Sequence, residues 1–207
     1  MSLSIKASAI ALAASMSFAT SAFATSNVWD SATPWGDALV AQYAAWDDFT
    51  SSFHNSTAQY GTGATLTETS TLASLTSTQN IYNSFGVSNF IATLLGSPTA
   101  TGTFDVYLRA ATTGTLLSTE ATLNGIAATS VETFLLSGRG VEQEVYWKWS
   151  DVSASGIYVF NFGAAETHLS LDQLALAVVT AVPEPSTYAM LALGIGILGA
   201  AARRARK

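Results

Sequence analysis

The chain has 207 residues, with 8 Lys or Arg against 14 Asp or Glu and no cysteine, for a formal net charge of -6. Lack of cysteine excludes disulfides, thiol nucleophiles and thiolate metal sites, so stability has to come from packing and hydrogen bonding. Between Thr25 and Val182 only Arg109, Arg139 and Lys148 stand against 13 acidic residues, which excludes nucleic-acid binding by phosphate neutralisation and leaves neutral sugars or divalent cations as compatible partners.

Lys6 followed by the apolar run Ala7 to Phe18 and by Ala22-Phe23-Ala24 has the form of an export signal. Residues 1–24 are therefore expected to be removed, and 25–181 to form one ectodomain with its own core. After a Pro34-Trp35-Gly36-Asp37 turn, Leu39, Tyr43 and Trp46 fall near i, i+4, i+7. That spacing predicts a short amphipathic helix over about Asp37 to Asp47, its aromatics packed on the domain. From Ser51 to Asn80, 14 of 30 residues are Ser or Thr, which favours strands and loops over helix. Leu66, Glu68, Ser70 and Leu72 share one parity, so a strand is expected over about Ala64 to Ala73.

From Asn80 onward the period is mostly two. Asn89 to Leu95 is an apolar run ended by Gly96-Ser97-Pro98, and Phe104, Val106 and Leu108 alternate with Asp105, Tyr107 and Arg109. Thr113-Gly114, Asn124-Gly125, Ser137 to Gly140 and Ser153 to Gly156 mark turns. Val141 to Trp149 is the clearest strand: Val141, Gln143, Val145, Trp147 and Trp149 share one face, and Glu142, Glu144, Tyr146 and Lys148 share the other. Between His168 and Val179, Leu169 and Leu171 are out of phase with Leu174, Leu176 and Val178, which predicts a bulge at Asp172-Gln173. The fold expected is mainly β, an antiparallel two-sheet sandwich of jelly-roll type with one short N-terminal helix.

The last stretch is VPEPSTYAMLALGIGILGAAARRARK, residues 182–207. Two prolines flank Glu184, residues 188–202 carry no charge, and Arg203, Arg204, Arg206 and Lys207 follow. A helix over 188–202 would be ~22 Å long, short of the ~30 Å hydrocarbon core, with the basic residues snorkelling to complete a transmembrane segment. The basic end would stay in the cytoplasm and the ectodomain outside. This three-part stretch resembles the PEP-CTERM sorting signal, the substrate of an exosortase. The resemblance implies recognition at Pro183, Glu184 and Pro185, a precursor held in the inner membrane, removal of the helix, and delivery to the cell surface or extracellular matrix, with exopolysaccharide as the partner there.

Catalytic signals are few. His54 and His168 lack metal spacing, and no nucleophile elbow accompanies them. Glu142 and Glu144 on one strand face would lie ~6.8 Å apart, a glycosidase-like separation, although a solvated outer face explains them as well. Trp147 and Trp149 with Tyr158 form a candidate glycan platform, weighed against a core role indicated by their parity with Val145. Asp172 with Asp47 and Asp48 is a candidate oxygen-ligand set for calcium. The reading is a non-enzymatic exported protein with a structural or adhesive role; a carbohydrate-binding module is the alternative, and an extracellular glycoside hydrolase a weaker one.

Overall fold

Strands of alternating pattern account for most of the domain. The structure, a computed structural model, describes residues 29–181 apart from 53, 54, 71, 98 and 139, together with Leu193 and Ile195. Among the described residues the first strands are β1 (Val40–Trp46), β2 (Ser56–Thr57), β3 (Tyr60–Gly61), β4 (Ala64–Glu68), β5 (Ser74–Leu75) and β6 (Ile81–Asn83). Then come β7 (Asn89–Leu95), β8 (Thr103–Gly114), β9 (Leu117–Leu123), β10 (Ile126–Ala127) and β11 (Ser130–Gly138). The set closes with β12 (Gly140–Ser153), β13 (Ile157–Ala164) and β14 (Leu169–Thr180).

These strands form two antiparallel sheets. The first has the order β11-β12-β8-β14-β1-β3, with β6 on the early part of β14 and β5 on β6. The second has the order β10-β9-β13-β7-β4-β2. From β7 onward the chain alternates between sheets, returning to the first sheet at β8, β11–β12 and β14. Inward-facing residues of both sheets meet in one core containing Leu66, Phe90, Leu94, Leu108, Trp147, Phe160 and Leu176. Each such large side chain, fully removed from water, contributes ~1.5–3 kcal/mol of transfer free energy.

Several turns fall where the residues place them. Asn124 and Gly125 both have positive φ, 50° and 82°, the geometry of a two-residue hairpin turn between β9 and β10. The phase slip in β14 is a bulge between Leu171 and Gln173, which keeps Leu169, Leu171, Leu174, Leu176 and Val178 all buried. β4 stops at Glu68, earlier than expected, because the buried carboxylate accepts hydrogen bonds from the amides of Ser70 and Asn89 and turns the chain out of the strand.

The N-terminal helix is absent. Residues 40–46 instead form β1, paired with β14 from Gln42↔Val178 to Trp46↔Leu174. The helical spacing is a coincidence of three different environments: Leu39 is exposed, Tyr43 is half-buried in a packing cluster outside the first sheet, and Trp46 is in the core. Backbone pairing with a twelve-residue neighbouring strand outweighs the small difference in intrinsic propensity. The turn before it is real, with Gly36 N donating to Thr33 O at 3.0 Å and Ala38 N donating to Trp35 O at 3.0 Å. The helix expected over 188–202 lies outside the described residues except for Leu193 and Ile195, both helical. Among the described residues no helix is long and apolar enough to cross a membrane.

Candidate functional site

The acidic face of β12 is not a solvated surface. Glu144 is buried beneath the segment that precedes β1. Its Oε1 accepts from Asp30 N at 2.5 Å, and its Oε2 accepts from Ser31 N at 3.0 Å, from the Ser31 hydroxyl, and from Arg109 Nη2 at 3.0 Å. Arg109, on the adjacent strand β8, also donates to Ser31 O at 2.7 Å and carries the ring of Trp29 at 4.2 Å from its guanidinium carbon. The leading segment is therefore a strap clipped onto the first sheet by one buried ion pair. Further along, a row of rings crosses the sheet: Phe134 to Tyr146 at 6.3 Å, Tyr146 to Tyr107 at 6.3 Å, Tyr107 to Trp35 at 5.7 Å, and Trp35 to Tyr43 at 6.1 Å. Lys148 pairs with Asp105 at 2.7 Å beside this row.

Sequence reasoning placed Glu142 and Glu144 together and missed Arg109, Ser31 and Trp29. The one available signal was Arg109 itself, a cation in phase with Asp105 and Tyr107 on a strand whose other face is apolar. All of Glu144's oxygens are engaged, so the paired-carboxylate arrangement of a glycosidase is not assembled with the half-buried Glu142.

The pKa of Glu144 follows from this setting. Burial alone would raise it, but the hydrogen bonds from the Ser31 hydroxyl and the Asp30 and Ser31 amides, then the charge of Arg109, outweigh burial and hold it below the ordinary 4.5. A carboxyl depressed in the folded state adds stability that is complete above its unfolded value and is lost as pH falls through the folded one. Asp172, raised by burial against a smaller hydrogen-bond effect from Asn80, acts in the opposite sense. Thermal melts between about pH 6 and pH 3 are therefore expected to show the wild type losing more stability on acidification than Glu144→Gln, with the two converging in acid. Parallel curves would contradict the arrangement.

The proposed aromatic platform is corrected by the structure. Trp147, Trp149 and Tyr158 are 0%, 2% and 2% exposed, so none offers a ring face to a sugar in solvent. Parity places both tryptophans on the inner face of β12, where Trp147 meets Phe162 and Trp149 meets Phe160 across the sandwich. Their indole N–H groups are satisfied by backbone carbonyls, Trp147 Nε1 donating to Thr119 O and Trp149 Nε1 to Ile126 O, each at 2.9 Å.

The calcium set is not assembled either. Asp47 Oδ1 accepts from Gln173 Nε2 at 2.9 Å, and Asp48 Oδ2 accepts from Gln59 Nε2 at 3.1 Å. Among the described residues no three acidic or histidine side chains are grouped to hold a metal ion. Amide side chains satisfy the carboxylates instead. His168 is taken up by Tyr82, whose hydroxyl lies 2.9 Å from Nδ1, and His54 lies outside the described residues.

One end of the sandwich carries a cavity of about 440 Å³ between the β9–β10 turn and the end of β12. Trp149 contributes to its wall although it is almost wholly covered. Phe104 pairs with Val152 of that wall on one side and with Thr180 on the other. The cavity and the end of β14 thus share one end of the first sheet, and it is from Thr180 that the chain leads into its last segment. Pro183, Glu184, Pro185, Arg203, Arg204, Arg206 and Lys207 all lie outside the described residues.

In that last segment the PEP-CTERM protein-sorting motif matches residues 181–207. The chain carries a PEP-CTERM sorting signal. It is accordingly an exported protein, made as a membrane-anchored precursor and sorted to the cell surface by an exosortase, its processing partner. The PEP-CTERM match begins one residue after β14 ends, so the signal follows the domain without an intervening linker. Comparison with curated proteins and with solved structures finds no match for the chain.

Proposed function

We propose that this protein is a non-enzymatic constituent of the extracellular matrix, sorted there by an exosortase and serving a structural or adhesive role with exopolysaccharide. The observation that carries the reading is the sorting signal placed directly after the last strand of the sheet. Two features of the domain support it. The wiring, read as a jelly roll with β1-β14-β8-β12 facing β7-β13-β9-β10, is a two-sheet frame of the kind suited to a structural part. The carboxylate best placed for hydrolysis, Glu144, is committed to holding the strap.

Replacing Pro183, Glu184 and Pro185 by alanine tests this. The expected result is a full-length precursor retained in the membrane fraction, while the wild type is shortened and recovered at the surface. Unchanged processing and delivery would overturn the reading. A second reading, binding of a defined glycan, is favoured by the cavity beside Trp149 rather than by the tryptophan faces themselves.

A further inference from the structure

We infer that the cavity at the end of the sandwich is a binding site for a neutral saccharide; this deepens the second reading above and rests on it. Its volume of about 440 Å³ is within the range of small-ligand sites and large enough for more than one sugar ring. The lining has two characters. Ile126, Ala127 and Val152 are apolar, while Ser150, Asp151 and Ser153 carry hydroxyls and a carboxylate. A pyranose has the same division, with C–H patches on its faces and hydroxyls around its rim.

The charge of the site narrows the class. Asp151 is the only ionisable group in the lining, and a carboxylate accepts from two neighbouring sugar hydroxyls at once. The same carboxylate, in a domain with 13 acidic and three basic residues between Thr25 and Val182, repels uronates and sulfated glycans. Neutral hexoses are the class that fits.

Backbone geometry points to the same residue. β12 carries an extra residue between Trp149 and Val152, and Asp151 within that bulge has φ of 56°, a conformation uncommon for a residue with a side chain. Bulges re-aim side chains at strand ends. The surrounding wall is held in place before any ligand arrives. Trp149 Nε1 donates to Ile126 O at 2.9 Å, Ser150 N donates to Thr129 Oγ1 at 3.1 Å, and Val159 N donates to Asn124 Oδ1 at 2.8 Å. Fixed walls reduce the ordering cost of binding.

The test uses the protein purified after export, titrated calorimetrically with cellohexaose, laminarihexaose, maltohexaose and hexagalacturonate. Binding of at least one neutral hexaose is expected, with backbone amide shifts at Ile126, Ser150 and Asp151 and no binding of the uronate. Asp151→Ala is expected to weaken that binding about tenfold or more, as loss of a charged hydrogen-bonding partner does. Ala127→Trp, which places bulk on the exposed edge strand at the cavity, is expected to abolish it while thermal stability stays unchanged. If a neutral hexaose binds and neither substitution alters its affinity, the cavity is not the site, although glycan binding itself stands. If no neutral hexaose binds, both the site and the glycan reading fall. Equal binding of hexagalacturonate overturns the assignment to neutral sugars.

Discussion

Arg109→Met is expected to release the N-terminal strap and to lower stability by about 3–5 kcal/mol, the cost of leaving one member of a buried ion pair without the other. With the strap still closed, Glu144 would be a buried carboxylate that keeps its bonds from Asp30 N and Ser31 and loses the Arg109 cation. The domain has an outlet that a sealed core lacks, because lifting residues 29–38 lets water reach the carboxylate. The loss is therefore limited by the strap's own docking free energy, and its local signature should exceed its global one. Hydrogen exchange at the Asp30 and Ser31 amides should accelerate strongly, and the row from Trp35 to Tyr107 should open with them. The double variant Arg109→Met, Glu144→Leu should recover most of the lost stability, since an apolar pair of similar volume carries no desolvation cost. Unaltered exchange at Asp30 and Ser31 in the single variant would mean that the ion pair does not hold the strap.

Trp147→Ala should be the most damaging single change in the core. The side chain is fully buried and meets Phe162 on the opposite sheet, and truncation of such a residue costs about 3–5 kcal/mol. Its Nε1 also satisfies Thr119 O on β9, and loss of that bond leaves a carbonyl short of a partner. For a domain of this size the melting temperature should fall by about 6–20 °C, as about 2–4 °C accompanies each kcal/mol. Trp147→Phe, which keeps a smaller aromatic ring and forgoes the hydrogen bond, should lose less than the alanine variant. A fall under about 3 °C for the alanine variant would show that the residue is not packed between the sheets. Because Trp147 is absent from the cavity wall, neither variant should alter saccharide affinity as long as the protein is folded.

These effects separate two regions that share β12. Toward the start of the strand its outer face is covered by the strap, through Glu144. At its far end the bulge lies by the cavity, at the same end of the sheet where β14 hands over to the sorting signal. Docking of the strap is governed at the first region, and the proposed binding at the second.

Much of this was present in the linear sequence because it depends on neighbours only. The sorting signal is a contiguous run, and its chemistry is read by another enzyme from residue order alone. The turn at Asn124-Gly125 follows from local φ preferences, the bulge near Asp172 from a phase slip between Leu171 and Leu174, and the inward placement of Trp147 and Trp149 from alternation with Val145. What the sequence could not determine was any choice settled by a distant partner. Residues 40–46 satisfy helical and strand spacing alike, and only pairing with β14, well over a hundred positions later, selects the strand. Glu144 reads as solvated until a segment 113 residues away in sequence closes over it. Asp47 and Asp48 read as cation ligands until Gln173 and Gln59 are brought against them. Periodicity reports which face a residue occupies. Whether that face meets water, a strap or a cavity is decided by long-range contacts that leave no trace in local spacing.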